Sequence, residues 1–143
     1  GEGEVMGALL EVDVLTQETV RGHLRAHRLD VLQGPLMNLI SDGKVRGGVR
    51  DLAYKLLLRT APLSAAAASR CADAHLLCLL SSVKAVRKSA IEYATEVTLA
   101  CAAAAAPVLQ ALFRLARMGD DAARAELLRA TRAGLDMHCM QSK

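Results

Sequence analysis

Cys71, His75 and Cys78 stand at i, i+4 and i+7, so on a helix two thiols and an imidazole share one face. Thiolate and imidazole together suit zinc. A tetrahedral ion needs a fourth ligand, however, and three groups along one helical face diverge rather than converge. His138 or Cys139 could complete such a set only if the C-terminus folded back. The simpler expectation is a helix burying small thiols beside Leu76 and Leu79, with no metal and no cofactor. His23 and His27 also share a helical face, but a zincin needs a glutamate directly after the first histidine, and that position is Leu24. Arg21, Arg25 and Arg28 flank the pair and disfavour a cation. Gly43 to Gly48 is glycine-rich and carries Lys44, yet lacks the Gly-Lys-Ser/Thr ending of a phosphate loop. A nucleophile, a histidine base and an orienting acid are not signalled, and no Gly-Xaa-Ser-Xaa-Gly elbow occurs. The chain is therefore expected not to be an enzyme.

The scaffold for these residues is legible in composition. The chain has 143 residues, room for a single helical domain, 52% of them hydrophobic. Twenty-six are Ala and 24 are Leu, strong helix formers, whereas aromatics are 2%. Strands draw on Val, Ile, Thr and aromatics, so an all-α fold is expected. With a net charge of +3 and so much apolar material, disorder is not. The 18 Lys and Arg form no basic run of five, and almost no aromatic is available to stack a base, which disfavours nucleic acid as a partner. The start, Gly1-Glu2-Gly3-Glu4, is acidic rather than basic, unlike a secretory signal, and begins without Met, as expected of a piece of a longer protein. Four cysteines without a compact disulfide spacing suggest free thiols in an intracellular, cytoplasmic setting, the nucleus remaining open. Val97 to Phe113 carries no charge, but Pro107 interrupts it and it is too short and Ala-rich to cross a membrane.

Punctuation divides the chain. Val5 to Val14 reads as a short helix, and Thr16 caps a second that carries Val20, Leu24, His27 and Val31. Gly34-Pro35 is expected to end it and to open a helix to Ile40. A turn at Ser41-Asp42-Gly43 precedes a helix over Lys44 to Arg59, with Val45, Val49, Leu52, Ala53, Leu56 and Leu57 on one face. After Thr60-Ala61-Pro62, helices are predicted over Ser64 to Leu80, Val83 to Ala106 and Pro107 to Met118. The last runs from Ala122 to Leu135, with Leu127, Leu128 and Thr131 facing inward.

One pattern recurs: a short leucine-rich helix, a small polar turn, then Val-Arg or Ala-Arg opening a longer helix. It appears in Gly34 to Arg46, in Leu76 to Arg87 and in Val108 to Arg124. The arginines Arg46, Arg87 and Arg124 lie 41 and 37 residues apart. Over residues 34–135 the chain resembles armadillo and HEAT repeats. That resemblance implies a short right-handed α-solenoid of about three units over 34–143, with capping helices over 1–33. The asparagine usual on the groove-lining armadillo helix is absent, its offset falling on Lys55, Glu96 and Ala133. A compact bundle of five to seven helices would show similar core stripes and remains the alternative.

The expected function is a non-enzymatic protein–protein interaction or scaffold module that binds a partner protein or peptide in a helical groove. The residues expected to meet it are Asp51, Lys55, Glu92, Glu96 and Arg129, a mixed-charge strip on the long helices. Homo-oligomerisation by a structural adaptor bundle is the second class, and an arginine-mediated nucleic-acid binder the third.

Overall fold

The computed structural model describes residues 29–141 together with Val5, Gly7 and Leu9, and side chains over 31–135. The helix expected at Thr16, most of the capping segment over 1–33, the His23/His27 face and any ligand from His138 or Cys139 lie outside these residues. Among the described residues no strand occurs. The chain forms α1 (Leu29–Ser41), α2 (Gly47–Thr60), α3 (Ala65–Leu79), α4 (Lys84–Glu92), α5 (Ala94–Ala100), α6 (Ala105–Arg117) and α7 (Asp121–Gln141), with 3-10 turns at Ala61–Leu63 and Ala102–Ala104. No helix of the described residues is long and apolar enough to cross a membrane.

Local chemistry accounts for most of the boundaries. Ser64 accepts from the Ala67 amide at 3.0 Å and so caps α3, while Pro62 sits in the 3-10 turn before it. Asp120 caps α7 through the Ala123 amide at 3.0 Å, and Gly119 supplies the left-handed residue of that turn at φ 96. Gly43 has a different use: a Cβ there would come within 2.8 Å of Val83 Cγ1, so the turn after α1 can press against the turn before α4.

Three expectations are corrected. The helix does not stop at Gly34-Pro35; α1 runs through both. Proline cannot donate to the Val31 carbonyl, but that turn faces water, and Val31, expected on the apolar stripe, is 73% exposed. Leu32, Leu36 and Ile40 hold the buried face instead. The helix expected over Val83 to Ala106 is broken at Tyr93 and again at Cys101, whose backbone is extended. On α7 the inward face is Ala123, Glu126 and Ala130, while Leu128 is 68% exposed, Thr131 is exposed and Leu127 is half-buried. Small residues fill that face because α7 lies close against α4, α5 and α6.

The helices pack in two rows. In one, α3 lies between α1 and α6; in the other, α4 and α5 lie between α2 and α7. The rows bury Leu36, Ile40, Ala53, Leu56, Leu57, Leu79, Val86, Val108 and Leu112 between them. Gln33, fully buried, ties α1 to the neighbouring elements. Its amide donates to Thr60 Oγ1 and to the Ala67 carbonyl, both at 2.9 Å, and accepts from Arg70 Nε at 2.7 Å.

The second helix of each pair starts at Gly47, Lys84 and Asp121, at intervals of 37 residues. This moves the first arginine of the recurring pattern by one turn. Arg50, Arg87 and Arg124 are each the fourth residue of their helix, and Arg46 precedes its helix. Arg50 and Arg87 both reach back to the turn before them. Arg50 Nη2 donates to the Asp42 and Val45 carbonyls at 2.9 and 3.0 Å, and Arg87 Nη1 to the Ser81 carbonyl at 2.9 Å. Arg124, 3.8 Å from Asp121, makes only an exposed ion pair. Val49 and Val86, both buried, are thus the equivalent valines, and Val45 is half-buried outside the helix.

This register makes a stability prediction. Val86→Asp should cost about 4 kcal/mol or more in urea denaturation, because an unpaired carboxylate would enter the core. Val45→Asp, beside solvent, should cost about 1 kcal/mol.

Candidate functional site

The five residues of the mixed-charge strip lie on the row formed by α2, α4, α5 and α7. Lys55, Glu92 and Arg129 are 37 residues apart and hold equivalent places on three neighbouring helices. On α2, Lys55 Nζ is 3.0 Å from Asp51 Oδ2, one helical turn back. The Tyr93 hydroxyl donates to the same Asp51 carboxylate from the break between α4 and α5. That hydrogen bond, aided by Lys55, holds the Asp51 carboxyl below its ordinary range against the opposing effect of burial. Burial and the adjacent carboxylate push the Tyr93 phenol well up.

The second half of the strip centres on Glu126, which is nearly buried. Its Oε2 accepts from the Thr95 amide at 3.1 Å and the Thr95 hydroxyl at 2.8 Å. Arg129 donates to both Glu126 oxygens, at 2.9 and 2.8 Å, and reaches across to both Glu96 oxygens at 3.1 Å. It also lies 3.4 Å from the Glu92 carbonyl. Burial pushes the Glu126 carboxyl up, but the Arg129 and Thr95 hydrogen bonds outweigh it and leave the group below its ordinary range. Glu126, and Glu96 after it, hold the Arg129 guanidinium still more firmly protonated.

The structure thus joins Asp51 with Lys55, and Glu96 with Arg129, and leaves the Glu92 side chain exposed. Sequence reasoning missed Tyr93, Thr95, Glu126 and Arg50. The i, i+3 spacing of Glu126 and Arg129 was a usable signal; the 31-residue reach from Glu126 to Thr95 left none. A cleft of about 460 Å³ continues the row toward the start of α2 and α4, lined by Gly47, Gly48, Arg50, Asp51, Lys88, Ser89 and Glu92 among others.

The Cys71, His75 and Cys78 face points into the core. His75 Nε2 donates to the Ala90 carbonyl at 2.7 Å, its ring meets the edge of Tyr54 at 6.0 Å, and Nδ1 has no partner. Tyr54 in turn stacks on Tyr93 at 4.7 Å. Cys78 Sγ donates weakly to the Ile40 carbonyl at 3.6 Å. Burial pushes the Cys71 thiol up to about 12 and the Cys78 thiol up as well, so neither is poised as a thiolate ligand or nucleophile. Among the described residues no group of three or more His, Cys, Asp or Glu side chains is placed to hold a metal ion. No protein-family model matches the chain, and no curated protein matches it.

The buried imidazole makes an acid prediction. Burial lowers the His75 pKa to about 4, against 6.5 when unfolded. The unfolded chain therefore binds the extra proton first, and stability is lost as pH falls from about 7 toward 4. The loss from this group should approach about 3 kcal/mol and level off below pH 4. Asp51 and Glu126, held below their ordinary range, add a further loss at still lower pH as they protonate. Urea titrations at stepped pH check this. His75→Gln should flatten the slope between pH 5 and 7 whatever its own stability.

Proposed function

We propose that the chain is a non-enzymatic interaction or scaffold module that binds a partner protein along the row of α2, α4, α5 and α7. The observation that carries this reading is the equivalence of Lys55, Glu92 and Arg129. Charges alternating plus, minus, plus at one position of three successive helices give a surface whose pattern, rather than its bulk affinity, selects a partner. Asp51 and Glu96 flank that line, and the internal pairs they make keep the long side chains in place, which lowers the entropy lost on docking.

The 37-residue recurrence of helix starts and the two-row packing support an armadillo/HEAT-like solenoid over a compact bundle, because each pair of helices packs chiefly on its neighbours. The free thiols of Cys71, Cys78 and Cys101 fit an intracellular, reducing setting. A second reading, self-association as an adaptor, is favoured by the exposed apolar side chains Leu77 and Leu80 at the end of α3 and Phe113 and Met118 at the end of α6. Sedimentation of the pure chain at increasing concentration tests it.

The binding reading is tested by capture from cell extract with wild type, Lys55→Glu and Glu96→Lys as parallel baits. Each reversal should weaken capture of the same partner at least tenfold while altering stability by about 0.5–1 kcal/mol, as expected for exposed pairs. Unchanged capture by both would place the interface elsewhere, and loss of folding would make these positions structural.

A further inference from the structure

The start of α2 and the start of α4 lie side by side, and both are electrostatically inverted relative to ordinary helix N-termini. Neither has an acidic residue in its first turn, and neither cap residue, Arg46 or Val83, makes a side-chain capping bond. By contrast α7 has Asp120 and Asp121 at the same place. A helix N-terminus favours anions, yet here it gathers cations. Lys44, Arg46, Lys84 and Lys88 are exposed around the two starts, with Asp42 the one acid among residues 42–50 and 81–88. Among the described residues Lys44, Lys84 and Lys88 take part in no ion pair.

Within this edge Arg50 is only 2% exposed and lines the cleft between α2 and α4. Its partners are all neutral: the Asp42 and Val45 carbonyls, and at 3.4 Å the Ala85 carbonyl and Ser89 Oγ. Its Nε has no partner at all. A buried guanidinium without a carboxylate partner is costly, and the carboxylates that share its cleft, Asp51 and Glu92, make no hydrogen bond to it. Gly47 and Gly48 leave the backbone of the α2 start open, since a Cβ at either would meet nothing within 4 Å. The buried cation, the bare helix start and Lys88 line one opening, with Lys84 one turn before Lys88 on α4, and this is an arrangement that receives an oxyanion.

We infer that this cleft docks an acidic peptide segment of the partner protein, with a carboxylate group seated at the start of α2 over Arg50 and between Lys84 and Lys88. The choice of a peptide rests on the binding reading above. A nucleic acid fits the cleft less well. No exposed aromatic stands on the edge to stack a base. Tyr54 is buried and Tyr93 is stacked on it.

The test is fluorescence anisotropy of a labelled hexaglutamate peptide with the full chain at low and moderate salt. Saturable binding that weakens with salt is expected. The pair Lys84→Glu with Lys88→Glu should weaken it at least tenfold, and Arg132→Glu, a remote control for net charge, should change it less than twofold. Gly48→Asp separates binding from folding. Its carboxylate would occupy the helix start, so the peptide should bind at least tenfold more weakly while the Tm stays equal to wild type or rises. Absence of saturable binding, or equal weakening by Arg132→Glu, would overturn the proposal. So would a single-stranded oligonucleotide that binds more tightly than the peptide and loses affinity with the same substitutions. If the peptide docks as expected but Lys55→Glu and Glu96→Lys leave partner capture unchanged, the strip reading falls and the acidic-peptide cleft stands. Failure of the peptide alone leaves the strip reading intact.

Discussion

The carboxylate of Glu126 is the point on which the second row of helices depends. The backbone at Tyr93 leaves helical geometry, with φ −101 and ψ 4, and α5 starts again without a side-chain cap of its own. The Thr95 amide would then lack an acceptor inside a buried site. Glu126 supplies it from α7, takes the Thr95 hydroxyl as well, and is itself held by Arg129. Buried hydrogen bonds to a charged group contribute about 1.5–3 kcal/mol each, and leaving the donors unmet costs a similar amount. One side chain thus makes the break between α4 and α5 tolerable and fastens α7 beside it.

The break has a consequence for the face that carries the charges. Because α4 ends at Glu92, Tyr93 is free to lie flat on Tyr54 and to reach the Asp51 carboxylate on α2. Glu96 then begins a new segment within reach of Arg129 on α7. Without the bend, α2 and α7 would meet a single straight helix, and the same side chains could not bridge to both. The pairs at the surface are individually weak, but they sit over a buried joint that fixes where they stand. Arg50 plays a comparable part at the other end, drawing the turn after α1 toward α4.

The sequence was most legible where a local rule decides the outcome. Leucine and alanine content pointed to the helical class, Ser64 marks a helix start, and Val49, Ala53, Leu56 and Leu57 are buried as their spacing implies. It was least legible where a distant residue decides. Nothing near Tyr93 signals a break; the reason is Glu126, about 30 residues away. The register of the first repeat slipped by one turn because Val45-Arg46 and Val49-Arg50 read alike, and only the carbonyls that Arg50 reaches tell them apart. Pro35 stays inside α1 because its turn is exposed, a fact of tertiary placement. On α7 the leucines misled and the alanines faced inward, since close helix packing selects small side chains. The strip itself was legible as charges at helical spacing; its internal pairing and the cleft over Arg50 were not.

The joint can be measured directly with a double-mutant cycle between Thr95 and Glu126. Unfolding free energies are needed for wild type, Thr95→Val, Glu126→Gln and the double variant at neutral pH and moderate salt. If Glu126 carries the break, the two sites should couple by about 1–2 kcal/mol, well above the few tenths expected of independent positions. A coupling near zero, with Glu126→Gln as stable as wild type, would contradict it, and the bend, the charge row and the interface built on them would need another cause.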